Sequence, residues 1–231
     1  MHWASLLAGA LCFALLLTAC PSDKPRVGIG ELGKGDLRIL CSVDDAVCKP
    51  GEDSIEASVP IAVGASFGVS YIGPVPKAAS GNPSSVLIFS GSSVMLSMSD
   101  DQFVAWEPGI AAVLARTDQG TVLDFTHMLL VDVDRIELTS SRVVLTVGQE
   151  QTWQASPFGP EVVVSDGVLA GSLGYLWEVD GSAVELVETE GRSATVFAKE
   201  PGEATLRAIL DTAVGQAVIV VGEGWEGGEE P

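Results

Sequence analysis

Ala198-Lys199-Glu200-Pro201-Gly202-Glu203-Ala204-Thr205-Leu206-Arg207-Ala208-Ile209-Leu210 is the stretch that decides the fold. Ala204, Leu206, Ala208 and Leu210 alternate with Glu203, Thr205, Arg207 and Ile209, so one face is apolar and the other mostly polar. A period of two is that of a strand with one buried side, because successive side chains of an extended chain point to opposite faces. The same period groups Val143, Leu145 and Val147, then Trp153 with Ala155, then Tyr175, Trp177 and Val179. Ahead of the long strand stands Glu200-Pro201-Gly202. Proline presets the first central position of a turn and glycine takes the positive φ of the second, which predicts a type II hairpin corner.

Working outward, the same words occur upstream. Ala105-Trp106-Glu107-Pro108-Gly109-Ile110-Ala111-Ala112-Val113-Leu114-Ala115 lies 93 residues before the segment Ala198 to Ala208, and six of the eleven positions are identical. Val63-Gly64 matches Val147-Gly148 at an offset of 84. A drifting offset is the mark of loop insertions in a duplicated unit. Further strands are predicted at Ser66–Tyr71, Ser85–Ser90, Val94–Ser97, Gln102–Trp106, Ile110–Arg116 and Asp124–Val133. No helical stripe follows residue 20. Seven or so short strands per ~90 residues predict an all-β chain of two tandem β-sandwiches.

The whole chain has 231 residues, 47% of them hydrophobic, with a mean hydropathy of +0.36. That is enough for real cores. With 31 acidic and 12 basic residues the net charge is −19, which repels phosphates and argues against nucleic-acid partners. Two histidines and four cysteines leave little material for a metal or catalytic centre, so no cofactor is expected.

Residues 134–222 resemble the bacterial immunoglobulin-like domains of group 2 found in intimin-like and invasin-like surface proteins. The matching features run in order: Ile136-Glu137-Leu138, Leu145-Thr146-Val147-Gly148-Gln149, Trp177, Gly191-Arg192-Ser193-Ala194-Thr195-Val196, Pro201-Gly202-Glu203-Ala204-Thr205-Leu206, and Ala217-Val218-Ile219-Val220-Val221. Residues 37–133 resemble the family only through the internal repeat; Phe89 stands in for the Trp, and the lead-in 37–62 fits poorly. The resemblance implies a sandwich fold and a role in spacing, adhesion or binding at the cell surface. It implies no catalysis and supplies no binding residue.

The N-terminus has its own signal. Ser5 to Leu17 is an apolar run too short to span a bilayer comfortably and of the length of a signal-peptide core. It ends in Leu17-Thr18-Ala19-Cys20, which resembles the lipobox of bacterial lipoproteins. That resemblance implies cleavage after residue 19, lipid attachment at Cys20, and anchoring to the membrane through the acyl chains. The competing readings are an ordinary secretory signal or an N-terminal anchor helix. Met1-His2-Trp3 lacks the usual Lys or Arg. Pro21 and Ser22 follow the cysteine, and the missing Asp leans towards the outer membrane or cell surface. Residues 20–36, rich in Gly and Pro, read as a flexible tether with a reach of roughly 20–25 Å. Residues 223–231 read as an acidic disordered tail around Trp225.

Cys41 and Cys48 predict a disulfide in an oxidising compartment, with free thiols or half a metal site as alternatives. His127 is placed on a half-buried face with Phe125, Leu129 and Val131. Carboxylates cluster at Asp44-Asp45, Asp100-Asp101, and Asp132 with Asp134; the last pair lies where two domains should meet, so calcium there stays open against a solvated acidic surface. No catalytic or metal residue is assigned. The expected function is a lipid-anchored, non-catalytic surface or periplasmic protein that binds a protein or glycan or acts as a spacer. The alternatives are a subunit of an envelope or secretion assembly, or an enzyme with no recognisable site.

Overall fold

A computed structural model describes residues 30–78, 84–160 and 167–223, which form seventeen strands and no helix. The signal peptide, Cys20, Trp225 and nearly all of the tail lie outside the described residues. The first half contributes β1 (Asp36–Leu40), β2 (Ser54–Glu56), β3 (Ile61–Ala62), β4 (Ser66–Ile72), β5 (Val86–Ser90), β6 (Met95–Ser97), β7 (Gln102–Ala105), β8 (Gly109–Thr117) and β9 (Val122–Val131). The six spans expected from alternation in this half coincide with β4 to β9 to within two residues at each end. The second half contributes β10 (Arg135–Ser140), β11 (Val144–Thr146), β12 (Glu150–Phe158), β13 (Leu176–Asp180), β14 (Val184–Glu190), β15 (Ser193–Ala198), β16 (Gly202–Leu210) and β17 (Ala213–Gly222).

The sheets run β2-β1-β4-β7-β6 and β3-β9-β8-β5 in the first half, and β10-β12-β15-β14 and β11-β17-β16-β13 in the second. Apart from β2 the two orders are the same, and they follow the strand pattern of the immunoglobulin fold with an added parallel strand. That added strand is β3 beside β9, and β11 beside β17. Inward side chains of each sheet pair share a core. One is built around Ile39, Phe67, Phe103, Val113 and Met128, the other around Trp153, Val196, Leu206 and Ile219. Trp153 and Phe103 are the bulkiest side chains hidden completely.

Matching hydrogen bonds recur at the repeated positions of the two halves. Gly64 N donates to Ala105 O at 2.8 Å, and Gly148 N to Ala198 O at 2.8 Å; Trp106 and Lys199 donate to Val94 O and Ala183 O, each at 2.8 Å. The repeat corrects one expectation. Glu-Pro-Gly is not a hairpin corner, because β7 and β8, like β15 and β16, lie in different sheets. The motif carries the chain across the core, and Gly109 (φ 150°) and Gly202 (φ 151°) adopt a far wider φ than a type II turn. It also corrects the alignment of Trp177. That side chain faces Ala208, whose counterpart Ala115 faces Ile88, so Ile88 and not Phe89 takes its place in the first core.

The poorly fitting lead-in is an insertion. Between β1 and β3 the first half holds the Cys41–Cys48 disulfide and the extra edge strand β2, where the second half links β10 to β11 through residues 141–143. The offset between halves also changes at β12–β13. It is 84 at Gly64 and Gly148 but 89 at Ile88 and Trp177, so the second half's connection is five residues longer. That connection leaves its own unit. Leu169, Ala170 and Leu173 are buried in the first core. Ala62 N donates to Ala170 O at 3.0 Å and Ala170 N to Pro60 O at 2.8 Å.

The tether is shorter than its composition implied. Residues 30–35 are not spacer but a turn fastened to Asp124, which is completely buried. Its carboxylate accepts from Leu32 N (2.9 Å), Lys34 N (2.8 Å), Gly35 N (3.0 Å) and Phe125 N (2.8 Å). Burial pushes this carboxyl up, but the four backbone donors outweigh it and hold it below the usual carboxylate range. Tyr71 closes the turn, donating to Lys34 O at 3.4 Å; burial first, and the Asp124 charge second, push its phenol up. Asp124→Ala strands three turn amides and should cost about 2–3 kcal/mol at pH 7. A depressed folded-state pKa contributes stability that is present above the unfolded value and lost as pH falls through the folded one. The gap between wild type and Asp124→Ala in urea denaturation should therefore narrow below about pH 4. A gap independent of pH down to 2 would contradict the latch.

Candidate binding surface

The two copies present the same sheet to solvent with different chemistry. In β8 the inward residues are Ala111, Val113, Ala115 and Thr117, all buried, and the outward ones are Ile110, Ala112, Leu114 and Arg116. Cross-strand pairing extends the outward rows: Ile110 with Leu129, Ala112 with His127, Leu114 between Phe125 and Phe89, and Arg116 beside Leu87. Ile110 is 65% exposed, and Leu87, Phe89, Leu114 and Phe125 are half-buried. The outer face of β5, β8 and β9 is thus an apolar field. The equivalent face of the second unit mixes Glu203, Thr205 and Arg207 on β16 and Glu178 and Asp180 on β13 with the exposed Leu176, Val214, Val218 and Val220, and Arg207 pairs with Asp180 at 3.6 Å.

Charge on the apolar field is sparse. The Arg116 guanidinium lies flat over the Phe89 ring at 3.9 Å, covering part of it as a cation on an aromatic face does. His127 is exposed rather than half-buried, because its face is the outer one; Nδ1 meets the Glu31 carboxylate at the rim. β5, with the sequence VLIFS, is the last strand of its sheet and holds neither charge nor proline. Such devices ordinarily blunt an edge against further pairing.

The other predicted groups disperse. Cys41 and Cys48 are joined, S–S 2.04 Å. Asp132 and Asp134 are exposed on the strand-to-strand link, and among the described residues no group of three or more His, Cys, Asp or Glu is placed to hold a metal ion. Asp100 and Asp101 rim an open cleft of about 640 Å³ between the two sheets of the first unit, with Tyr71 and Ser99 above Val69 and Ile88. Asp45, read as one of a surface pair, is instead buried against the second unit. Alternation gave no sign of that, since its partners are more than a hundred residues away in sequence. The exposure of this field was not legible from alternation, although Phe89, Leu114 and Phe125 stand where the second copy has Glu178, Arg207 and Gln216.

No family model matches the chain, and no curated protein matches it. Among solved structures, domains 4 and 5 of the S-layer protein SbsC are similar over 80% of this chain and 97% of that one, at 13% identity and a TM-score of 0.30. Invasin, a bacterial integrin-binding protein, is similar over 74% of this chain and 42% of its own, at 15% identity and 0.33. The Yersinia pseudotuberculosis adhesin InvE is similar over 71% and 56%, at 11% identity and 0.31. The chain spans less than two thirds of the last two. At such TM-scores none of them bears on what this chain binds.

The inner and outer rows of this sheet should respond oppositely to substitution. Ile88→Ala opens a cavity in the first core and should cost about 2–4 kcal/mol. Ile110→Thr, on the outer face, should stay within about 0.5 kcal/mol. Urea denaturation of both variants checks the assignment of faces.

Proposed function

We propose that the chain is a lipid-anchored protein of the bacterial cell envelope whose Ig-like units do no chemistry. In this reading it binds a protein surface through the outer face of β5, β8 and β9. The partner surface has an apolar centre and a basic rim. The observation that carries the proposal is the cluster at the centre of the first unit's outer face, where Phe89, Leu114 and Phe125 stand side by side and the second unit's matching positions hold Glu178, Arg207 and Gln216. Burying half-exposed leucine and phenylalanine against a partner gains about 25 cal/mol per Å² of apolar surface. A face with so few polar groups suits a protein better than a glycan, whose hydroxyls require hydrogen-bonding partners. The basic rim follows from charge complementarity with a chain of net charge −19.

Anchoring rests on the sequence. The lipobox-like Leu17-Thr18-Ala19-Cys20 supports attachment at Cys20, and the paired Cys41 and Cys48 suit an oxidising compartment. The chain leaving Gly30 towards that anchor is fastened beside the apolar face, since Glu31 N donates to Phe125 O at 2.8 Å. The binding face would therefore sit close to the membrane, within about ten residues of the acylated cysteine.

A photo-crosslinker at position 112, in the same outward row of β8, should trap one protein in stoichiometric amount in living cells. Phe89→Ser with Leu114→Lys should abolish that adduct, while Thr205→Lys in the second unit leaves it intact. The interaction should weaken as salt rises, because charge complementarity at a rim is screened. Trapping of a second copy of this chain, or equal trapping from both units, would overturn the assignment. Mass analysis of the native N-terminus should find Cys20 acylated, and an unmodified residue 20 would refute the anchor.

A further inference from the structure

We propose that the disulfide-closed loop Cys41–Cys48 is a redox-sensitive lock between the two units. It holds Asp45 in a seat made by the second unit, and its opening frees the units to move against each other.

Asp45 is 2% exposed, and its bonds run in both directions. Oδ1 accepts from Val47 N at 2.9 Å, within its own loop. Oδ2 accepts from Gly171 N at 2.8 Å, across 126 residues of sequence. Its backbone carbonyl accepts from Arg192 Nη1 at 3.2 Å. Arg192 is fixed in the second unit by Ala155 O (3.0 Å) and Ser156 Oγ (3.3 Å). Next to them Ser42 Oγ meets Ser172 Oγ at 2.5 Å. One short loop thus holds two separate segments of the second unit, the β12–β13 connection and the turn before β15.

The seat is built to close tolerances. Gly171 has φ +101°, and a Cβ there would lie 2.6 Å from Ala65 Cβ, so only glycine brings its amide to the carboxylate. On either side Ala170 and Ser172 bond to the first unit; Ser66 and Ser172 exchange both backbone bonds, at 3.0 and 2.8 Å. Leu169 and Ala170 are wholly buried among first-unit side chains.

The duplication shows that this loop is not needed to make a sandwich. The second unit builds the same sheets with a three-residue link between β10 and β11 and no disulfide there. What the insertion adds is contact with the other unit. Its partner is the connection that is five residues longer in the second copy, so the two insertions meet each other. A loop of eight residues carrying a buried carboxylate needs its conformation held, and the Cys41–Cys48 bond supplies that constraint. A dithiol reductant opens it: the S–S bond breaks, Cys41 and Cys48 each gain a hydrogen as thiols, and the dithiol closes to its own disulfide.

Hydrogen exchange read by mass spectrometry on the full chain in detergent tests this. With the disulfide intact, the amides of residues 169–172 should be protected as strongly as those of β4. After treatment with a dithiol their exchange should rise at least tenfold, while β16 and β17 are unchanged. Asp45→Ala, with both cysteines retained, should produce the same local rise. Unchanged protection at 169–172 after reduction would overturn the proposal. So would reduction that speeds exchange only in β1 and β2, or throughout the first core alike, since either outcome marks a purely local staple.

Discussion

A carboxylate removed from water must be given donors, and that requirement at Asp45 shapes the molecule more than any other contact. The group has only one amide of its own loop within reach. The rest comes from Gly171, which arrives on a connection belonging to the other half of the chain. To deliver that amide the connection must run through the first unit. There it buries Leu169 and Ala170 and pairs its backbone with residues 60–66. Polar satisfaction and apolar burial thus pull on the same segment. Tyr175, Val133 and Leu210 border both cores for the same reason: the junction between them is packed, not bridged by a bare linker.

The two halves share one framework and differ in what is built on it. Residues that close the sandwich are conserved between the copies in their hydrogen bonds, from Gly64 and Gly148 to Val94 and Ala183. What differs lies outside the framework: an inserted disulfide loop, a longer connection, and an outer sheet face whose centre holds Phe89, Leu114 and Phe125 in place of polar residues. An outward phenylalanine or leucine contributes little to the stability of its own unit. A cluster of them at the centre of one copy's face, where the other holds Glu178, Arg207 and Gln216, is therefore not explained by folding.

Much of this was legible in order and little of it in depth. Strict alternation marked the strands because each has one buried side, and the burial of β8 follows the residue pattern position by position. The Pro-Gly pairs were recognised as turns but given the wrong task, since a local motif does not tell whether the next strand joins the same sheet or the opposite one. Asp124 and Asp45 were invisible for a different reason. Asp124 opens a strand predicted from alternation and Asp45 belongs to a pair read as solvated, and what buries them arrives from about 90 and 126 positions away. His127 was placed on the correct side of its strand, yet that side proved to be the outer one. A face of phenylalanine and leucine read as core when it was surface.

The two buried carboxylates do the same physical work in two places. Asp124 ties the turn that begins the described chain to β9 through three hydrogen bonds from turn amides to one side chain. Asp45 does so at the junction, where its carboxylate and its carbonyl accept from Gly171 N and Arg192 Nη1. Each joins segments about 90 or more positions apart in the chain, and a carboxylate that left its donors in either place would face an apolar interior. A single residue thus fixes a segment that alternation alone leaves without a place in the fold.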